Sequence, residues 1–277
     1  MAIKNNVKND ITVEEKALTV AESNPNALAV LGDDLAMDAM TGSGFESVKP
    51  EDTAIPFIKI LQTNSPECKK ATRVGDAEEG DFFNTVSQEI FRGTMYVIPC
   101  AFQKVYVEWI PRGTSGGGGF VGVHYDAKIM EGTTKDEKKK DVLPNGNHII
   151  PTAQHFCLIV REDKSFAKAV ISFTSTQLKK SRKWLSQMMA LQVSIGGKRI
   201  TPPMFSHIYP FSTVEETNDQ GSWYGYSIGA PVMISDKNLY AEAKKFYTEV
   251  AAGNVKVSEP PIPESANNDI SDVEDKM

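Results

Sequence analysis

The stretch "TMYVIPCAFQKVYVEWI", Thr94–Ile110, is crowded with β-branched and aromatic residues and has no helical spacing of its apolar positions. It reads as a long strand, with Pro99 marking a bulge or an edge position, because proline gives the ladder no N–H. Strict alternation puts Phe102, Lys104 and Tyr106 on one face and Val105, Val107 and Trp109 on the other. If the second set is core, the first is an exposed face mixing rings with a cation.

Similar texture surrounds it. "FFNTVSQEIF" (Phe82–Phe91) reads as a strand, and "IPFIKILQ" from Ile55 as the onset of ordered chain. A glycine run, Gly116–Gly119, precedes a short strand in "FVGVHYD". "TTKDEKKKDVLPNGN" reads as a polar, turn-rich loop. "HIIPTAQHFCLIV" and "SFAKAVISF" read as strands joined by "REDK", a hairpin. "IGGKRI" reads as a turn, and "MFSHIYPFSTV" and "GSWYGYSIGAPVMI" as two more strands. "SDKNLYAEAKKFYTEVAAG" reads as a helix capped by Ser235 or Asp236 and stopped at Gly253. The expected fold class is therefore α+β and strand-rich: an OB-fold-like antiparallel barrel with one or two packed helices. Residues 53–256 would form this one domain. Residues 1–52 and 257–277 would be disordered acidic segments, although "ALAVLGDDLAMDAM" has the texture of a transient helix.

The 277 residues carry a net charge of −6, unevenly spread. Residues 1–52 contribute −6 and residues 257–277 contribute −5, which leaves the middle at +5. From Lys164 to Val214 there are eight Lys or Arg and no acid. Within it, "TSTQLKKSRKWLSQMMALQ" (Thr174–Gln192) has a capping-box pair, Thr174 and Gln177. At about 100° per residue, Leu178, Trp184, Leu185, Met188 and Met189 fall on one arc, and Lys179, Lys180, Arg182 and Lys183 on the opposite one. Such a run is either the wet face of an amphipathic helix or a seat for a polyanion. A wet face ordinarily mixes signs to gain i,i+4 pairs, and this one does not.

Enzyme motifs are missing. His124, His148, His155 and His207 sit in no H-E-x-x-H or H-x-E…C-x-x-C pattern, and each reads as structural or superficial. "NGNH" (145–148) resembles a fragment of nuclease motifs, without their acidic ligands. The glycine run lacks the G-K-[ST] of a phosphate loop, so it is a flexible hairpin tip or a mobile loop over an extended ligand. Cys68, Cys100 and Cys157 form neither a C-x-x-C nor a disulfide framework. No cofactor or metal is expected. The N-terminal residues do not read as a secretory signal, and no apolar run is long enough for a membrane span. A reducing cytoplasm is the expected compartment.

What remains is binding. Single-stranded nucleic acid is held by cations on phosphates and by flat side chains beneath bases. The candidate phosphate contacts are Lys179, Lys180, Arg182 and Lys183, assisted by Lys104, Arg112, Lys198 and Arg199. The stacking candidates are Tyr106, Phe120 and Trp223, with Trp109 joining them only if its strand turns the other face outward. At least half of the aromatics are expected in the core instead.

The segments "IPFIKILQTNSPE", "GDFFNTVSQEIF", "VIPCAFQKVYVEWIPR", "FTSTQLKKSRKWLSQM" and "TPPMFSHIY", in this order and followed by an acidic tail, resemble the single-stranded DNA-binding proteins of tailed bacteriophages. The resemblance covers roughly residues 55–250. It implies an OB-fold, binding without sequence preference, and protection of strands during phage replication or recombination in the cytoplasm of an infected bacterium. The acidic tail would dock replication or recombination proteins, and oligomers are possible. The family's tails end on an apolar residue after the acids, whereas this chain ends Asp275-Lys276-Met277. Other readings are a phage interaction or structural component with acidic docking arms, and a recombination annealing protein.

Overall fold

The computed structural model describes residues 52–111, 118–218 and 221–261, with 33–35, 37, 38, 41 and 44–49 before them. The chain divides into two units, Met1–Lys49 and Pro50–Met277. In the first, residues 33–35, 37, 38 and 41 are helical and exposed. The expected disorder of residues 1–32 and of the acidic tail from 262 onward falls outside the described residues.

In the second unit the strands are β1 (Ala54–Ile55), β2 (Phe57–Ile60), β3 (Phe82–Asn84), β4 (Ile90–Phe91), β5 (Met95–Ile110), β6 (Gly119–His124), β7 (Thr134–Lys135), β8 (Asp141–Val142), β9 (His148–Val160) and β10 (Phe166–Thr174). Helix α1 (Leu178–Ala190) follows, then β11 (Val193–Ile195), β12 (Lys198–Ile200), β13 (His207–Asn218), β14 (Gly221–Ile228), β15 (Val232–Met233), helix α2 (Lys237–Ala251) and β16 (Lys256–Val257). The sheet runs β14-β13-β5-β9-β10-β2-β3-β4. It curls into a half-barrel. The Gln62 amide stands in for a neighbouring strand at its open edge: Nε2 donates to Tyr224 O (2.9 Å) and Oε1 accepts from Tyr224 N–H (2.8 Å).

The long strand expected at Thr94–Ile110 is β5, and its bulge lies at the proline. Pro99 pairs with Cys157, after which both Cys100 and Ala101 oppose Phe156. Two residues against one flip the alternation. Beyond the bulge, Phe102, Lys104 and Tyr106 share the side of Met95 and Val97. The β9–β10 hairpin is antiparallel from Phe166↔Val160 to Thr174↔Thr152, as the "REDK" turn implies.

Two expectations need correction. Phe82–Phe91 is not one strand but a hairpin, because Asn84 turns the chain: its Oδ1 accepts the N–H groups of Val86 and Ser87, and Gln88 takes φ 60. The sheet is also not wholly antiparallel, since β2 runs parallel to β10 through Phe57↔Val170 and Ile58↔Ile171. Strand-rich α+β stands as the class.

Two apolar clusters lie on opposite faces of the sheet. The concave face holds Ile58, Val97, Cys157, Phe173, Tyr209, Phe211 and Tyr226, with Trp184 and Met188 of α1 laid over them. The convex face holds Phe57, Ile98, Cys100, Phe156 and Leu158, covered by Leu239, Ala243 and Phe246 of α2. Asp236 caps α2 by accepting from Asn238 N–H (2.8 Å) and Leu239 N–H (3.1 Å), and Gly253, at φ 72, follows its end. No helix among the described residues is long and apolar enough to cross a membrane.

Candidate nucleic-acid interface

Helix α1 buries Ser181, Trp184 and Met188. Met189, expected on the same arc, is instead 74% exposed, because a step of 100° carries it off the edge of the buried stripe. The capping box does not form. Thr174 makes no side-chain cap, and Gln177 reaches across to the β14 edge, where its Oε1 accepts Tyr226 N–H (3.1 Å). A tertiary contact thus displaces the local one.

Lys179, Arg182 and Lys183 point outward from α1 and form no ion pair among the described residues. Lys180 differs. Its Nζ lies 2.5 Å from Glu216 Oε1. The other oxygen of Glu216 accepts from Gln177 Nε2 (2.8 Å) and from the Trp223 indole N–H (2.9 Å). Burial pushes the Glu216 carboxyl up, but the hydrogen bonds from Lys180, Gln177 and Trp223, together with the Lys180 charge, outweigh it and hold it below the usual carboxylate range. Trp223, half-buried, is therefore fixed beside the basic helix. Glu216 lies two residues past the acid-free stretch, so the sequence does not show the pair.

The β5 face is only partly as expected. Phe102 (40% exposed) and Lys104 are exposed. Tyr106, a stacking candidate, is 6% exposed, with Lys104 Nζ 5.4 Å from its ring centroid. It is corrected to a packed residue, because β6 pairs alongside and puts His124 opposite it. Trp109 is 4% exposed and belongs to the core with Val105 and Val107. Phe120, half-buried, meets it edge-on at 5.7 Å. Arg112 lies outside the described residues. Phe102, absent from the stacking candidates, is the exposed ring on this face; alternation along β5 was the signal for it.

Lys198 and Arg199 are exposed on β12, which follows α1 closely. Some cations elsewhere are paired: Arg92 with Asp81, Arg161 with Glu89, Lys168 with Glu249, Lys59 with Glu67.

The histidines have structural surroundings. Glu108 accepts from Asn147 Nδ2 (2.6 Å) and Asn145 Nδ2 (3.3 Å) and lies 2.7 Å from His124 Nε2, so "NGNH" ties a loop to β5. The Asn147 bond is the largest cause holding Glu108 below its usual range. Burial pushes the Cys100 thiol up to about 12, which leaves no thiolate. Among the described residues no group of His, Cys, Asp and Glu is arranged to hold a metal. An open cleft of about 320 Å³, lined by Pro111, Asp136, Glu137, Lys138, Lys140 and His148, contains none of the candidate residues.

His155 is buried between Phe102, Phe173 and Trp184, with Nε2 2.7 Å from Ser181 Oγ. Burial moves its pKa from 6.5 to about 3. Between those values the unfolded chain binds a proton that the folded one refuses, so stability is full above 6.5 and falls as pH drops toward 3. The urea midpoint is expected to fall from about pH 7 to about pH 5, above the carboxylate range. The fall should be smaller in His155→Gln, with buried His207 supplying a remainder of the same sign. Equal slopes in both proteins would remove His155 as the source.

Searches of curated proteins and of solved structures return no match. The model of one family, described as Pam3 phage gp34-like protein, matches residues 23–256. That span takes in the half-barrel, both helices and the basic ribbon after α1, and the chain belongs to the Pam3 phage gp34-like protein family.

Proposed function

We propose that this phage-family protein binds single-stranded DNA without sequence preference, with no catalytic role, in the cytoplasm of an infected bacterium. The observation that carries the reading is the like-charged outer face of α1 in an acid-free stretch of the chain. Lys179, Arg182 and Lys183 stand on one exposed face of α1 and form no ion pair among the described residues, within a stretch, Lys164–Val214, that holds eight Lys or Arg and no acid. Three unpaired cations on a rigid helix form a track for phosphates. Lys198 and Arg199 extend it, and Lys104 lies on the β5 face. Trp223, held by Glu216, and exposed Phe102 are the rings offered to bases. The reading carries with it an OB-like use of the curled sheet, a role in replication or recombination, and docking of partner proteins by the acidic tail.

The test is fluorescence anisotropy with labelled oligo-dT and a duplex of equal length at several salt concentrations. Tight, salt-steep binding to oligo-dT with weaker duplex binding is expected. Binding to neither at low salt would sink the reading and turn attention to protein partners.

A further inference from the structure

Strands β11 and β12 form a two-stranded sheet of their own, paired Val193↔Ile200, Ser194↔Arg199 and Ile195↔Lys198. Gly196 and Gly197 turn the ribbon with φ 57 and 79, the left-handed pair that a tight two-residue hairpin needs. At its base Gln192 Nε2 donates to Thr201 Oγ1 (2.9 Å). Directly paired residues share a face. Val193, Ile200, Ile195 and Lys198 therefore lie on one side, and Ser194 and Arg199 on the other.

The first side is aliphatic apart from Lys198, with Val193 half-buried and both isoleucines uncovered. Ile195 is 63% and Ile200 42% exposed, and Met189 is bare at the end of α1. A two-stranded ribbon is marginal by itself, and branched aliphatics left in water do nothing for the fold. The sequence that carries it is one-sided in charge, since Lys164–Val214 holds eight Lys or Arg and no acid. An occupant must therefore be a polyanion that also offers apolar faces. Duplex DNA hides its base faces in the stack, whereas a single strand displays them. A second copy of the same ribbon packed on this side would bring Lys198 against its own kind.

We infer that the ribbon Val193–Ile200 is the element that selects single over double strands. Ile195 and Ile200 bear on unstacked bases, while Lys198 and Arg199 hold the flanking phosphates. This rests on the single-strand reading above.

The test uses the full chain in two variants, Ile195→Ser with Ile200→Ser, and Lys198→Ala with Arg199→Ala. All four positions are exposed, and thermal midpoints equal to the parent's establish that the fold is kept. The serine variant is expected to lose about fivefold or more in oligo-dT affinity, with its salt slope and duplex binding unchanged. The alanine variant is expected to flatten the salt slope by roughly 1.4. Parental oligo-dT affinity in the serine variant would overturn the inference while leaving single-strand binding intact. An equal loss on duplex and oligo-dT would also overturn it. So would a change of sedimenting species with DNA affinity kept, which would assign the face to an interface between copies. A parent chain that binds no oligo-dT would fail earlier, at the reading underneath.

Discussion

Replacing Lys179, Arg182 and Lys183 together with alanine is expected to flatten the salt dependence of oligo-dT binding by about two, at roughly 0.7 for each phosphate contact given up. Affinity at low salt should fall in parallel. The three side chains are exposed and unpaired among the described residues, so the fold has little to lose, and the thermal midpoint should stay near the parent's. Lys180→Ala separates the two roles the helix plays. It leaves Glu216 without its cation, so it should cost about 1–2 kcal/mol of stability and move the salt slope little. A triple variant that folds normally and keeps the parental slope would take α1 out of the interface.

Trp184→Ala is expected to cost about 3–5 kcal/mol in urea unfolding. That is a large share of the roughly 5–15 kcal/mol by which domains are stable, and it corresponds to a thermal shift on the order of 10 °C. The ring is the peg that holds α1 in the concave face of the half-barrel. Its centroid lies 4.6 Å from His155, 5.0 Å from Phe211, 5.4 Å from Tyr209 and 6.3 Å from Phe173. Truncation leaves these rings facing a cavity that the sheet, tied by long β5–β9 pairing, is poorly able to close. The indole N–H has no hydrogen-bond partner among the described residues, so Trp184→Phe keeps much of the packing and should lose far less. A second readout follows from the peg: with α1 loosened, Trp184→Ala should also weaken oligo-dT binding although no cation is removed. A loss below about 1 kcal/mol would mean that the helix is held elsewhere.

Local sequence was enough to place the long strand at 94–110, the β9–β10 hairpin, both helices and the basic outer face of α1. Alternation, periodicity and turn chemistry act over a few residues, and in each of these segments they agree. The irregularity at Pro99 was legible as a bulge or an edge position, because a residue without an N–H must interrupt the ladder, and the pairing of β5 with β9 makes it a bulge. Tertiary structure decided what depends on contacts between distant segments. Tyr106 is withdrawn because β6 arrives beside it, and Trp109 is buried because Phe120 and Val123 close over its face. Lys180 leaves the basic track because Glu216, 36 residues later, is carried to it by β13. Gln177 abandons its cap for the β14 edge, where an unpaired N–H is costlier to leave than a helix end open to water. The parallel entry of β2 and the curl of the sheet follow from the same cause: which edges meet is set by burying the whole apolar surface at once, and no single segment carries that information.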